Sequence, residues 1–387
     1  MAALRQCTQC GACLENCPVF LLRKSEEFSP KAKQNLLRAG LNHDAGLDWR
    51  ALMQLAGQCA GCGRCKTACA RALSVPEALA PARARQPRWQ QYFWRYWIER
   101  GGHLWRAAAC AAPLAPRALL PKKLGILHAS ALAMRASGQE ALWLRLSTQA
   151  GKPLGGKVFA IFGGCTADRL RPQWADKAGR IVEALGGSVA AAPAFTCCGG
   201  TYEHAGMPQR ALEAAQANVN RWRALGRPAL VVFCASCLHS LRQYAVMDGL
   251  LAPEEARAWR ESLTPLSLLF RGVQVERTAA APSAAAYHSP CHWDGQDEDL
   301  AFLAPLLPGL HKGRALCCGF GGVLRMLHPE LSRDLAEACW QGLASGEGAT
   351  ASVPAVTLTG CSGCAMQLRA HAPHGARVVH WLDVFDV

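Results

Sequence analysis

Long apolar runs are missing from this chain. The best stretch, residues 107–120, is cut by Pro113, Pro116 and Arg117, so no membrane-spanning helix is expected. Acidic residues are scarce, 28 against 42 Lys and Arg, which leaves a formal net charge of +14. Nucleotide fingerprints are missing too. No G-x-G-x-x-G follows a strand, "GFGG" at 319–322 does not fit that pattern, and there is neither a P-loop nor a C-x-x-C-H sequence. The chain is therefore expected to hold no flavin, nicotinamide or haem site of its own. The first cysteine is Cys7, which leaves no room ahead of it for a signal peptide. A cytoplasmic location is the expectation, and there clustered cysteines bind metal or do redox work more often than they pair as disulfides.

What is present is cysteine, 20 in 387 residues, in a chain that is 51% hydrophobic and so globular. The first run, "CTQCGACLENCP", holds Cys7, Cys10, Cys13 and Cys17, and the second, "CAGCGRCKTACA", holds Cys59, Cys62, Cys65 and Cys69. Both have the C-x2-C-x2-C-x3-C spacing that wraps a cubane [4Fe–4S] cluster. In that pattern the fourth cysteine serves the other cluster. One site is then Cys7, Cys10, Cys13 and Cys69, and the other is Cys59, Cys62, Cys65 and Cys17. Paired zinc knuckles are the competing reading, although zinc needs no such doubled eight-cysteine pattern. Between the runs, Ser29–Pro30 starts one helix, and Asp48 caps a second that stops near Gly57.

Beyond residue 150 the chain repeats one plan. The strand "KVFAIFGGC" ends at Cys165, and a helix and short strand lead to Cys197 and Cys198. A second helix and the strand "ALVVFC" then deliver Cys234 and Cys237. The second copy runs from "AAAYHSPC" at Cys291 to Cys317 and Cys318, and "AVTLTGC" delivers Cys361 and Cys364. Strands alternating with helices predict α/β units with mostly parallel sheets, and each cysteine group falls just past a strand end, where such sheets place their sites. Side chains of adjacent cysteines diverge, so each pair suits different irons of one cluster, with Gly199 easing the turn that follows the first. Five cysteines per copy is one too many for zinc or an ordinary cubane.

The order C…CCG…CxxC, twice over behind two ferredoxin runs, resembles the cysteine-rich CCG-domain iron–sulfur proteins. That family includes the B and D subunits of heterodisulfide reductase, the iron–sulfur subunit of glycolate oxidase and the C subunit of anaerobic glycerol-3-phosphate dehydrogenase. The resemblance implies a noncubane [4Fe–4S] cluster held by five cysteines in each CCG domain. The first copy has 31 residues between Cys165 and Cys197 and 34 between Gly199 and Cys234, within the family's range. The second has 25 and 41, and so departs from it. For either copy a zinc site or a group of free thiols remains open.

The expected fold class is α+β overall: a helical dicluster ferredoxin module over 1–82, a basic aromatic connector over 83–150, and CCG domains over 151–276 and 277–387. Four clusters would carry about −10 between them, so much of the basic surplus is readable as counter-charge, and no nucleic-acid partner is expected. Cys110 and Cys339 lie outside every group, Cys339 as a core residue. His239, His288 and His292 sit beside the CCG cysteines, either as plain structural histidines or as hydrogen-bond partners or proton donors to sulfur. Residues 83–123 hold seven Arg, two Lys and one acid, Glu99, around Trp89, Phe93 and Trp97, with Tyr92, Trp94 and Tyr96 alongside. That segment reads as a helix on the inner face of the cell membrane, as a docking helix for a partner protein, or as a cover bridging the ferredoxin module and the CCG domains.

One-electron centres without a hydride acceptor of their own need a partner. The expected function is that of an electron-transfer subunit. It would link a flavoprotein dehydrogenase for a 2-hydroxy acid or glycerol 3-phosphate to a quinone, a membrane anchor or another acceptor. The alternative is the catalytic subunit of a disulfide or heterodisulfide reductase.

Overall fold

The computed structural model describes residues 6–42, 48–87, 89–114, 128, 131–135, 140–191, 195–293, 295–314, 316–345 and 353–387. At the N-terminal end, helices Pro30–Asn42, Trp49–Ala56 and Val75–Arg85 pack around Leu37, Leu52, Met53, Ala56, Val75 and Leu79. Each start has a sequence reason. Ser29 Oγ accepts from Ala32 N at 3.1 Å, Asp48 Oδ1 from Arg50 N at 2.8 Å, and Ser74 Oγ from Glu77 N at 3.4 Å. The two cysteine runs lie in loops and short turns at the edge of these helices.

The repeat is explicit in the sheets. Strands β1 Leu144–Leu146, β2 Val158–Phe162, β3 Ser188–Val189, β4 Ala229–Val232, β5 Leu263–Pro265 and β6 Val275–Arg277 come first. They are followed by β7 Ala285–His288, β8 Leu310–Lys312, β9 Val356–Thr359, β10 Arg377–His380 and β11 Phe385–Asp386. One four-stranded sheet runs β3-β2-β4-β5 and the other β8-β7-β9-β10, all parallel and in the same spatial order. Parallel sheets covered on both faces need strands apolar on both sides. β7 and β9 are buried throughout, and β4 along its last three residues. A third sheet, β11-β1-β6, ties the strand ahead of the first copy to the strand that ends the second.

The aromatic helix Trp89–Glu99 and its successor Gly102–Ala111 lie against the first copy. Ile98 is buried against Tyr202 and Ala211, Trp105 is buried with Met134, and Arg106 Nε donates to Arg169 O at 2.7 Å. Trp89, Tyr92 and Tyr96 are exposed, so the helix covers the repeat with one face and leaves an aromatic ridge on the other. The side chains of Phe93, Trp94 and Trp97 lie outside the described residues. No helix among the described residues is long and apolar enough to cross a membrane.

Candidate metal centres

Each repeat builds its site the same way. Strands β2 and β7 stop just short of Cys165 and Cys291. Strands β4 and β9 stop just short of Cys234 and Cys361, which begin helices Ala235–Gln243 and Ser362–Ala370 and bring Cys237 and Cys364 round within one turn. Between them the paired cysteines turn back at Gly199 (φ 82°) and Gly319 (φ 80°). A Cβ on Gly319 would stand 2.6 Å from Ser332 O, so the loop lies flat on its helix only as glycine.

The thiols then join into one unbroken line. Cys165 touches Cys197, Cys197 touches Cys198, Cys198 touches Cys237 and Cys237 touches Cys234. Cys234 touches Cys361 across the boundary between the repeats. From there the line passes Cys364, Cys318 and Cys317 to Cys291, with Cys318 Sγ and Cys364 Sγ 3.4 Å apart. Beyond it stands Cys62 of the second ferredoxin run, whose charge acts on Cys317 and Cys291.

The boundary is reciprocal. Ser236, in the first repeat's C-x-x-C, lies 3.2 Å from Cys361 Sγ, while Ser362, in the second, lies 3.3 Å from Cys234 Sγ. The backbone N–H of Ala235 donates to Gly360 O at 3.0 Å. Sequence spacing groups five cysteines per repeat; it carries no sign that the two groups meet, or that each borrows a hydroxyl from the other.

In the N-terminal module Cys17 stands among the cysteines of the second run. Its charge acts with that of Cys59, and a buried lysine, Lys33, faces Cys17, Cys59, Cys62 and Cys65. Lys33 is 2% exposed, and its Nζ donates to Gln58 O at 2.5 Å. Cys13 lies beside Cys7 and Cys17, Cys10 is exposed, and among the described contacts none joins Cys69 to Cys7, Cys10 or Cys13. Burial pushes the Cys65 thiol up to about 12. Arg64, between the module and the second repeat, is held in its charged form by Cys291, Cys317 and Cys62 against the pull of burial. Neither Lys33 nor Arg64 is picked out by sequence reasoning. The one signal is that Lys33 lies a turn before Leu37 and two before Leu41, on a stripe that is otherwise apolar and buried.

His292 and His239 stack at 4.7 Å, His204 lies 6.3 Å from His292, and His292 Nε2 meets Gly61 O at 3.2 Å, so an imidazole stack knits both repeats to the second ferredoxin loop. Burial pulls His288 down to about 4. Cys110 is exposed, and Cys339 is fully buried in helix Pro329–Ala344 as expected.

This donor set suits metal. Ten thiols strung in contact along a cavity leave space unfilled between them, and repel one another if ionised unless cations lie there. All of them except Cys197 and Cys234 line a single cavity of about 380 Å³. Its other walls are mostly apolar, with Ile98, Trp105, Met134, Phe320 and Met366, and also carry His204, His292 and Arg325. Five soft ligands per repeat exceed the four that zinc takes.

Comparison with known proteins agrees with this layout. Residues 3–73 match the 4Fe-4S dicluster domain, and residues 159–242 and 285–369 each match the Cysteine-rich domain, CCG. The chain is similar to the glycolate oxidase iron-sulfur subunit of Escherichia coli (strain K12), 24% identical over 99% of this chain and 93% of that protein. It is also similar to the B subunit of fumarate reductase (CoM/CoB) from Methanothermobacter marburgensis, 22% identical over 86% of this chain but only 62% of that one. With a 4Fe-4S dicluster domain followed by two cysteine-rich repeats, the chain belongs to the CCG-domain iron–sulfur proteins, whose characterised relatives here are oxidoreductase subunits.

Proposed function

We propose that the chain is the iron–sulfur electron-transfer subunit of a multi-subunit oxidoreductase. It takes electrons from a flavoprotein that oxidises a small 2-hydroxy acid or glycerol 3-phosphate, and passes them to a quinone or another acceptor. The observation that carries this reading is the line of touching cysteines from Cys291 in the second repeat to Cys165 in the first, with Cys62 of the second ferredoxin run near its Cys291 end. Bound iron–sulfur clusters supply centres that accept and release single electrons. The chain's own part is to hold them close together, in a dry interior, with Lys33 and Arg64 as fixed positive charge beside them. Cys7, Cys10, Cys13 and Cys69 would hold one cubane, and Cys59, Cys62, Cys65 and Cys17 the other. Cys165, Cys197, Cys198, Cys234 and Cys237 would hold a third cluster, and Cys291, Cys317, Cys318, Cys361 and Cys364 a fourth.

Co-expression with a candidate flavoprotein dehydrogenase for a 2-hydroxy acid tests the reading. The expected result is a brown complex with about sixteen irons per chain, bleached when the 2-hydroxy acid is added without oxygen. A colourless zinc protein, or an iron protein that no flavoprotein partner reduces, would overturn it.

The cavity beside both cysteine sets supports a second reading, reductive cleavage of a disulfide. There a disulfide takes two electrons and two protons and leaves as two thiols. Turnover of a low-molecular-weight disulfide by the isolated, chemically reduced chain separates the two readings.

A further inference from the structure

The two repeats differ at one matched pair of positions. In the first, Phe162 ends β2 and pairs in register with Val232, which ends β4. In the second, His288 ends β7 and pairs in register with Thr359, which ends β9. Phe162 and His288 each stand three residues before the first cysteine of their repeat, and Val232 and Thr359 two before the C-x-x-C. An apolar pair in one copy is thus replaced by an imidazole and a hydroxyl in the other, all four being buried.

The replacement carries a cost. An unsatisfied polar atom in a dry core forfeits about 1–3 kcal/mol, and phenylalanine fills the same place in the sister copy at no such cost. His288 Nδ1 lies 3.4 Å from Thr359 Oγ1, while Nε2 is buried without a hydrogen-bond partner. The Leu316 carbonyl is close enough to act on the ring yet closes no bond to it. What the ring does face is sulfur: a nitrogen of His288 and the Sγ atoms of Cys318 and Cys364 all lie within 4.8 Å of one another. An imidazole with one nitrogen turned to a hydroxyl, the other without a hydrogen-bond partner, and a ring nitrogen within reach of two thiols suits a metal-bound histidine oriented by a neighbour.

We infer that His288 is an imidazole ligand to iron at the second repeat's site, beside Cys318 and Cys364, so that the two repeats bind clusters of different donor set. The inference rests on the reading that the second cysteine set holds an iron–sulfur cluster. Histidine ligation raises reduction potentials where it replaces a cysteine thiolate; here all five cysteines remain, so the second site differs from the first by one added neutral donor.

Pulsed EPR on the holoprotein, grown with ¹⁴N- or ¹⁵N-histidine, tests this. The expected result is a histidine nitrogen coupled directly to one cluster signal, changing with the isotope and absent in His288→Phe. That variant is also expected to shift the midpoint potential of that cluster while leaving the potentials of the other clusters unchanged. Loss of the second site's irons in His288→Phe, where the parent protein shows the coupling, supports the assignment equally. A fully loaded protein in which no histidine nitrogen couples, or a coupling that persists in His288→Phe, overturns the inference and leaves the electron-transfer reading standing. An iron content near twelve that does not change in Cys318→Ser removes the second cluster, and the inference with it.

Discussion

A lysine ammonium in a dry interior costs several kcal/mol unless something negative meets it, and what meets Lys33 is the Gln58 carbonyl with sulfur around it. No carboxylate among the described residues pairs with it, whereas Lys31, nearer the first run, is partly exposed and paired to Glu26 at 2.9 Å. The two lysines are thus unequal. Lys33→Met should lower the midpoint potential of one cubane by about 60 mV, tenfold in the one-electron equilibrium, and Lys33→Arg should restore most of it. Lys31→Met should shift neither cubane by as much as a third of that, because its charge is screened and already paired. An EPR-monitored redox titration reads all three variants. A second residue-scale test sits at Gly360, directly before Cys361. A Cβ there would run into Asp299 Oδ2, so Gly360→Ala should cost more than about 3 kcal/mol in urea unfolding, an overpacked-core effect. Asp299 is itself buried, with that oxygen unpartnered, and burial holds its carboxyl far above the usual range. Its folded pKa exceeds its unfolded one, so its stabilising contribution is full below about pH 4 and fades as pH rises towards the folded value. Asp299→Asn should therefore be more stable than the parent at pH 7 and no more stable at pH 3, as read by urea midpoints at the two pH values.

At the scale of elements, what the sequence made legible followed from local rules. Cysteine spacing within a loop, the Ser29 and Asp48 helix starts, and the apolar strands of β4 and β9 all follow from residues a few positions apart. The doubled strand order follows from the doubled pattern. What stayed hidden depends on pieces of chain brought together from far apart. No spacing rule places Ser236 on Cys361, Ser362 on Cys234, or Lys33 among the cysteines of the second run. The exchange of Phe162 for His288 is visible in the letters, but it acquires meaning only once the strands are in register. The crossed serines make a prediction of their own. Hydrogen bonds to cluster sulfur stabilise the reduced form, so Ser362→Ala should lower the potential of the first repeat's centre, although the serine belongs to the second repeat. Ser236 lies 3.2 Å from Cys361 Sγ and 3.4 Å from Cys234 Sγ, so Ser236→Ala should lower both centres, and a Ser362→Ala shift confined to the second repeat would count against the crossing. The helix Trp89–Glu99 divides similarly by face. Because Tyr92 and Tyr96 are exposed and Ile98 is buried, the double variant Tyr92→Ser/Tyr96→Ser should change stability by under about 0.5 kcal/mol. Ile98→Ala should cost about 2–4 kcal/mol, with chemical denaturation of the purified protein as the measurement.

For the whole molecule, the ten-cysteine line brings the thiols of both repeats together at their boundary. Ligation energy is folding energy when the ligands come from separate segments. Stripping iron with a chelator under reducing conditions should lower the melting temperature by more than about 5 °C, as a loss of a few kcal/mol does in chains of this kind. Both repeats should soften together in hydrogen exchange; protection that survives in one repeat alone would count against the shared centre.

The small sheet β11-β1-β6 bears on how such a molecule is made. β1 emerges from the ribosome before either repeat, yet its parallel neighbour β11 lies past the last strand of the second, and Cys234 likewise waits for Cys361. During synthesis the first repeat is left with an unpaired strand edge and a half-walled pocket of thiols open to oxygen and stray metal. Correct loading of these sites therefore belongs after translation, and a pause between the repeats would be the moment at which the protein is most easily lost.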